Sequence, residues 1–368
     1  MTMIDVIVPV YRGLAATRRC LEGLFAGAQR AAFSIVAIDD ASPEPGIATW
    51  LDELAAQGRI ELLRNASNLG FVRTANRGLA LHPDRDVVLL NSDAETANDW
   101  LDRLHACAYR ERDVGTVTPF SNNATICSYP YEGWTGGTPG TLGLAGLDRV
   151  FASVNAARHA DLPTAVGFCM YMRRACIDAV GAFDAERFGR GYGEENDFCM
   201  RAAAAGWRSV LAADVFVFHE GAVSFSGERD ALTTAATTAL LERHPEYSRR
   251  IDEFHAADPL RPLRRAIDDA RHALGGDEAR QVYAERNDEL ASIVARDAER
   301  IAMLEAALAH AQRGVAEAER CVAERDAEIA KLTPAFRHAE TLALERGREL
   351  ERINASPLLR SLRRLTRR

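Results

Sequence analysis

The chain has 368 residues, 47% of them hydrophobic, and a formal net charge of −8. That length fits one large domain with an extension, the apolar content excludes global disorder, and the acidic balance excludes a chain that binds nucleic acid by its overall charge. Seven cysteines, Cys20, Cys107, Cys127, Cys169, Cys176, Cys199 and Cys321, form no CxxC pair, and are expected as reduced thiols in a cytosolic protein, several of them filling core.

The opening MTMIDVIVPVY lacks a basic n-region, and no apolar run approaches the ~18 residues of a membrane span. A soluble protein is expected, with contact to a membrane surface left open. IDVIVPVY (4–11) reads as a strand, and Thr17 to Ala28 as a helix with Cys20, Leu21, Leu24 and Phe25 at helical spacing. FSIVAIDD (33–40) is a second strand, followed by a helix that Gly58 closes. RIELLRNA (59–66) is a third strand, and Phe71 to Leu81 a helix. In DVVLLNSDAE (86–95) a fourth, central strand runs through Val87–Leu90 into Asn91, Ser92 and Asp93. A helix at Trp100 to Arg110 and a fifth strand, VGTVTPFS (114–121), follow. Alternating strands and helices predict an α/β fold with a mostly parallel sheet covered on both faces. Ligands bind such sheets at the carboxyl ends of strands, where Asp40, Asp93 and Ser121 fall.

Residues 122–163 are rich in Gly, Thr, Pro and aromatics and read as a long functional loop. TAVGFCMYMRRACIDAVGAFD (164–184) is a strand then a helix, EENDFCMRAAAAGW a helix with Gly206 near its end, and RSVLAADVFVFHE short strands ending at His219. From Ala231 onwards Ala, Glu and Arg dominate. Gly275-Gly276 before Asp277 reads as a helix stop and a new N-cap. Val294, Ile301, Leu308, Val315, Val322 and Ile329 then recur every seven residues, with Leu290, Leu304, Ala311, Ala318 and Leu332 at the matching d positions and Asp297 and Arg325 breaking that series. Such a heptad predicts a coiled coil, dimeric by its β-branched a residues; a lone helix folded back on the domain is the competing reading. Pro334 is expected to kink it. SPLLRSLRRLTRR at the end fits a basic amphipathic helix on an anionic membrane or a solvated tail. The chain divides as an α/β domain over 1–228, a helical linker over 229–276, a coiled coil over 277–355 and a basic tail over 356–368.

Carboxylates mark the chemistry. Asp39 and Asp40 fit either hydrogen bonds from a ribose or base, or a local cap. Asp93, at the end of a buried strand, is costly unless paired or metal-bound, and hard cations such as Mg²⁺ take one or two carboxylates with water and phosphate oxygens. Glu194, Glu195 and Asp197 crowd a helix start: they suit the helix dipole, and they equally suit a general base of raised pKa. A lone His219 counts as a ligand only if it shares a cleft with Asp93.

Together these segments resemble a family 2 glycosyltransferase of the inverting GT-A type, a Rossmann-like fold, and within it bacterial polysaccharide and rhamnosyltransferase-like members. The resemblance runs in order from Ile4 to Phe225: VIVPVY, AIDDAS, RNASNLGFVRTANRGL, LLNSD, GFCMYMRRACIDAVGAFD, GYGEENDFCMRAAAAGWR and VFHEG. It implies nucleotide contacts from Pro9, Tyr11, Asp40, Asn68, Arg73 and Asn91. It implies a Mg²⁺ or Mn²⁺ site on Asp93 and His219, and a catalytic base at Glu195 with Glu194 as runner-up. Asn91 stands where many members carry the first acid of the metal motif, and Glu195 where they usually carry Asp. Asn122 and Asn123 are expected to line the donor pocket.

The implied reaction is a hexosyltransferase-type (EC 2.4) transfer from a nucleotide-sugar donor to a hydroxyl of a glycan or lipid-linked acceptor, for cell-surface polysaccharide. The implied setting is cytoplasmic or peripheral on the inner face of the membrane, with homo-oligomers formed through the coiled coil and no nucleic-acid partner. A catalytically inactive domain acting as a scaffold is the alternative. A nucleotidyltransferase ranks lower, because PVYRGLAATRR offers only Gly13 for a phosphate loop.

Overall fold

Val and Ile crowd the first strands, and β-branched residues buried on both faces are what a parallel sheet between helix layers requires. The computed structural model, which describes residues 3–189, 191–221 and 229–357, bears this out. Four βα units open the chain: β1 (Ile4–Val10), α1 (Leu14–Ala26), β2 (Phe33–Asp39), α2 (Ile47–Ala56), β3 (Glu61–Arg64), α3 (Phe71–Leu79) and β4 (Asp86–Leu90), then a two-residue β5 (Ala94–Glu95) and α4 (Trp100–Ala108). β6 (Val114–Phe120), α5 (Gly143–Val154), β7 (His159–Leu162), β8 (Cys169–Met172), α6 (Arg174–Val180) and α7 (Ala185–Phe188) follow. α8 (Glu194–Ala204), β9 (Arg208–Phe216) and a two-residue β10 (Phe218–His219) complete the sheet region.

The eight-stranded sheet has the order β3-β2-β1-β4-β8-β6-β9-β7. β1, β2, β3 and β4 are mutually parallel, as are β6 and β9; β8 runs antiparallel between β4 and β6, and β7 antiparallel on β9. β4 is central, and all five of its residues are buried. The period of two sorts β1: Ile4, Val6, Val8 and Val10 enter one core and Ile7 the other. The first core takes Leu21, Leu51, Trp100, Leu104 and Phe151 from α1, α2, α4 and α5, and the second takes Val72, Leu79, Cys176 and Phe198 from α3, α6 and α8. Each such side chain contributes about 1.5–3 kcal/mol by leaving water.

Several expectations are corrected. The loop read over 122–163 contains α5 and β7. Glycines hid a helical spacing of Leu144, Leu147, Phe151 and Val154, of which Leu147 and Phe151 are fully buried. The first helix begins at Leu14, three residues early, and β3 shrinks to four half-exposed residues because it is an edge strand. The late short strands include one nine-residue strand, β9.

α9 (Arg229–Arg243), α10 (Tyr247–Ala257) and α11 (Arg261–Ala273) come next. Leu260, Leu263 and Ile267 join the first core. Gly275 and Gly276, at φ 72° and 56°, then turn the chain into α12, an 80-residue helix (Gly276–Ala355). The helix runs on with Pro334 inside it. The chain divides into two compact units, 1–289 and 290–368. In the second, the a residues Val294 to Ile329 are 56–68% exposed. Among the described residues no helix is long and apolar enough to cross a membrane. The basic tail from residue 358 on lies outside the described residues.

Candidate active site

At the end of β4 the backbone leaves the sheet. Asn91 N–H donates to the Phe168 carbonyl (2.8 Å), and the Asn91 carbonyl accepts from Ala94 N–H (3.0 Å), which turns the chain into β5. β5 pairs antiparallel with β10, setting His219 opposite Ala94. That small ladder delivers His219 to the residue before Ala94: its Nε2 lies 3.5 Å from Asp93 Oδ1 and 3.4 Å from Asn91 Nδ2. Arg19 of α1 pairs with both Glu95 and Glu220, closing the ladder from outside.

The imidazole is held firmly. Its Nδ1–H donates to the Asn123 carbonyl (2.7 Å), so Nε2 presents a lone pair toward Asp93. Asn122, almost fully buried, accepts from His219 N–H (2.8 Å) and donates to the His219 carbonyl (3.0 Å) and the Gly136 carbonyl (2.7 Å). The Phe168 ring stacks on the imidazole at 5.1 Å. The Asn122 amide is thus fully engaged in fixing β10, and Asn123 contributes its carbonyl to His219. Nothing in the sequence announced Phe168.

Asp93 keeps one oxygen lightly used: Oδ2 accepts from Gly221 N–H (3.1 Å), while Oδ1 faces His219. A fixed carboxylate oxygen beside a fixed imidazole lone pair fits a divalent cation. No third His, Cys, Asp or Glu joins them among the described residues. The donor set thus fits an ion that takes its other ligands from phosphate and water.

The acids at the start of α8 separate into three environments. Gly193 caps the helix in the left-handed region (φ 85°), and a side chain there would press on Phe188. Asp197, fully buried, is neutralised by Arg201 (2.8 Å), His244 (2.9 Å) and Arg243 (3.1 Å), so it is a structural anchor between α8 and α9. Glu194 is buried, its Oε2 has no partner among the described residues, and burial followed by the charge of Glu195 holds its pKa well above the usual carboxylate range. Glu195 is partly exposed. Burial raises its pKa too, against the lowering pull of backbone amides at the helix start. Two adjacent carboxyls in one poorly solvated place oppose each other's ionisation. Backbone amides at the helix start favour ionisation of Glu195 more than of Glu194.

One dipeptide joins the two halves. Gly167 lies against Glu195, where a Cβ would meet its side chain at 3.8 Å, and Phe168 stacks on His219. The acid pair and the Asp93–His219 corner thus flank residues 167–168.

The remaining predicted residues sit at the ends of β1 and β2 and between β3 and the first turn of α3. Pro9 and Tyr11 are partly exposed at the end of β1, with Arg12 over the Tyr11 ring. Asp39 makes a local turn by accepting from Ser42 N–H (2.8 Å) and also receives Arg64 (3.3 Å). Asp40 is buried and accepts from Asn65 Nδ2 (2.7 Å), Leu69 N–H (2.8 Å) and Gly70 N–H (2.9 Å). The chain's own donors already occupy it, so what it visibly does is fix the 65–70 segment. Asn68 accepts from Gly70 N–H (2.9 Å), and Arg73 is exposed on the first turn of α3.

Residues 5–181 match the sequence family described as glycosyl transferase family 2. N-acetylgalactosaminyltransferase 7 of Drosophila melanogaster is 34% identical over 85 residues, 23% of this chain and 14% of that protein. A solved structure of GalNAc-T7 with UDP, GalNAc and Mn²⁺ superposes with a TM-score of 0.51 at 17% identity, covering 73% of this chain and 55% of that one. A mannosyltransferase from Pyrobaculum calidifontis, solved with GDP-Man and Mn²⁺, gives 0.47 at 15% identity over 78% of this chain and 80% of that one. The chain thus spans a small part of the curated relative and about half of the first solved one. The likeness to that structure shows the fold, which is GT-A.

Proposed function

From a chain that carries a glycosyl transferase family 2 domain over residues 5–181, we propose an enzyme that moves a sugar from a nucleoside-diphosphate donor to a hydroxyl of a glycan or lipid-linked acceptor, inverting the anomeric centre. The observation that carries this reading is the β5–β10 pairing, which sets His219 beside Asp93, with Glu195 across residues 167–168. Glu195 takes the proton of the acceptor hydroxyl. The acceptor oxygen bonds to the anomeric carbon as the bond to the diphosphate oxygen breaks, and the nucleoside diphosphate departs. A divalent cation, Mg²⁺ or Mn²⁺, bound by Asp93 and His219 supplies neutralisation of that leaving group. The UDP and Mn²⁺ of the GalNAc-T7 structure are consistent with this assignment. Synthesis of cell-surface polysaccharide at the cytoplasmic face of a membrane, with self-association through α12, is the setting we propose.

A scaffold without activity is favoured only by Asn91, which leaves the motif with one acid. Two measurements decide. Wild-type protein should bind Mn²⁺ in a titration and release nucleoside diphosphate from one of a panel of nucleotide sugars. His219→Ala should weaken Mn²⁺ binding about ten-fold or more, since it removes one of two protein ligands. Mn²⁺ binding unchanged in His219→Ala would overturn the metal assignment, and no release from any donor would favour the scaffold.

A further inference from the structure

The second unit carries a stripe of apolar side chains with no cover among the described residues. Val294, Ile301, Leu308, Val315, Val322 and Ile329 at the a positions, and Leu290 and Leu304 at d, are each more than half exposed. Two d positions depart from the stripe: Asp297 and Arg325, both exposed, lie four heptads apart with opposite charges. Ala311 and Ala318 fill d positions between them.

These four residues decide how two copies of the helix can pack. A parallel, in-register pair sets each seam residue against its own copy. Asp297 would face Asp297 and Arg325 would face Arg325, and both contacts repel. Ala311 and Ala318 would face alanines and leave gaps in the core layers. An antiparallel pair instead sets a residues against d residues, and its twofold axis makes every contact reciprocal. With that axis near Ala311, Asp297 of each copy comes within one layer of Arg325 of the other, and the attraction forms twice. The same register sets Ala311 and Ala318 against large a residues such as Leu308, so that large meets small along the seam.

We infer that the exposed stripe of α12 is the seam of an antiparallel homodimer, with its twofold axis near Ala311 and Asp297 of each copy paired with Arg325 of the second copy. The inference rests on the self-association proposed above and is independent of any catalytic role. The charged pair sets orientation and register, and the apolar layers supply most of the affinity.

The test uses the full chain with Cys321→Ser and Ala327→Cys for a spin label on the outer face; the other six cysteines are buried. Antiparallel packing puts the two labels about 50 Å apart, and parallel packing under about 30 Å, from the helical rise and the interaxial distance. Asp297→Arg or Arg325→Asp alone turns both attractions into repulsions and should raise the dimer dissociation constant about ten-fold or more, read by sedimentation. The double exchange should restore it to within about three-fold. A short label distance, or single exchanges without effect, would overturn the antiparallel seam and leave self-association standing. A wild-type chain that stays monomeric would overturn both.

Discussion

Strand β4 begins on one aspartate, Asp86, and a second, Asp93, follows three residues past its end; the two do opposite work. Asp86 is buried and accepts from Tyr109 (2.7 Å), Tyr171 (2.7 Å) and Arg174 N–H (2.7 Å), which satisfies it within the fold. Asp93 accepts one backbone N–H and otherwise faces an imidazole. Among the described residues this carboxylate keeps capacity for a further partner, which is why the proposed cation is placed on it. The same contrast separates the two glutamates. Glu195→Gln removes the proposed base and should lower kcat about 100-fold or more. Glu194→Gln replaces the more deeply buried carboxyl, whose pKa is the more strongly raised, and should cost less than about ten-fold; the reverse ranking, in kcat with donor and acceptor saturating, would transfer the base role to Glu194. The pair also links stability to pH. Its folded pKa values lie above the ordinary 4.5, so the folded state binds protons more readily than the unfolded chain. The associated stability is full below pH ~4.5 and is lost as pH rises through the folded values.

Buried charge also binds elements to one another. Arg271 of α11, fully buried, donates to Glu278 and Glu285 of α12 and to the Tyr129 hydroxyl (2.8 Å). Those two glutamates accept from the loop before α5: Glu285 from Gly140 N–H (3.0 Å), and Glu278 from Thr141 N–H (2.6 Å) and its hydroxyl (2.7 Å). That loop includes Gly136, whose carbonyl receives Asn122, the residue that brackets His219. Arg271→Met leaves two buried carboxylates without their cation, and should destabilise the first unit by about 3–5 kcal/mol in denaturant unfolding. A loss under about 1 kcal/mol would show that water reaches the cluster. Glu278 has a lowered pKa: burial opposes ionisation, but Thr141 and then Arg271 outweigh it. Its contribution is therefore present above pH ~4.5 and is lost as pH falls through the lowered value. Little of this was legible in advance. Strands and helices declare themselves by period, so β1 to β4 and the heptads could be read directly. An ion cluster has no period; Arg271, Glu278 and Glu285 look like ordinary members of a charged helical stretch. The site was legible where chemistry sits at a strand's end, as at Asp93, and illegible where it depends on side chains meeting across the fold, as with Phe168 and Asn122.

The boundary between the α/β unit and the heptad helix follows from where those contacts stop. Gly275 looks like the natural end of the folded domain, because helix α11 stops there. The first unit nevertheless runs to Glu289, and Glu278, Glu285 and Glu289, which pairs with Arg265, are three of its buried acids. A chain ending at Gly275 strips Arg271 of Glu278 and Glu285, leaves Arg265 with Asp268 alone, and releases the 140–141 backbone. A chain ending at Glu289 keeps every one of those contacts and removes the exposed heptad stripe. The longer truncation should therefore unfold within about 1 kcal/mol of the first-unit transition of the full chain, keep its Mn²⁺ affinity, and sediment as a monomer. The shorter one should lose about 3 kcal/mol or more, through the same uncompensated buried charge, and bind Mn²⁺ more weakly because the loop that braces Asn122 is no longer held. Equal stability of the two truncations would mean that the first turns of α12 belong to the assembly helix alone. A dimeric 1–289 chain would place the self-association surface on the α/β domain instead of the heptads.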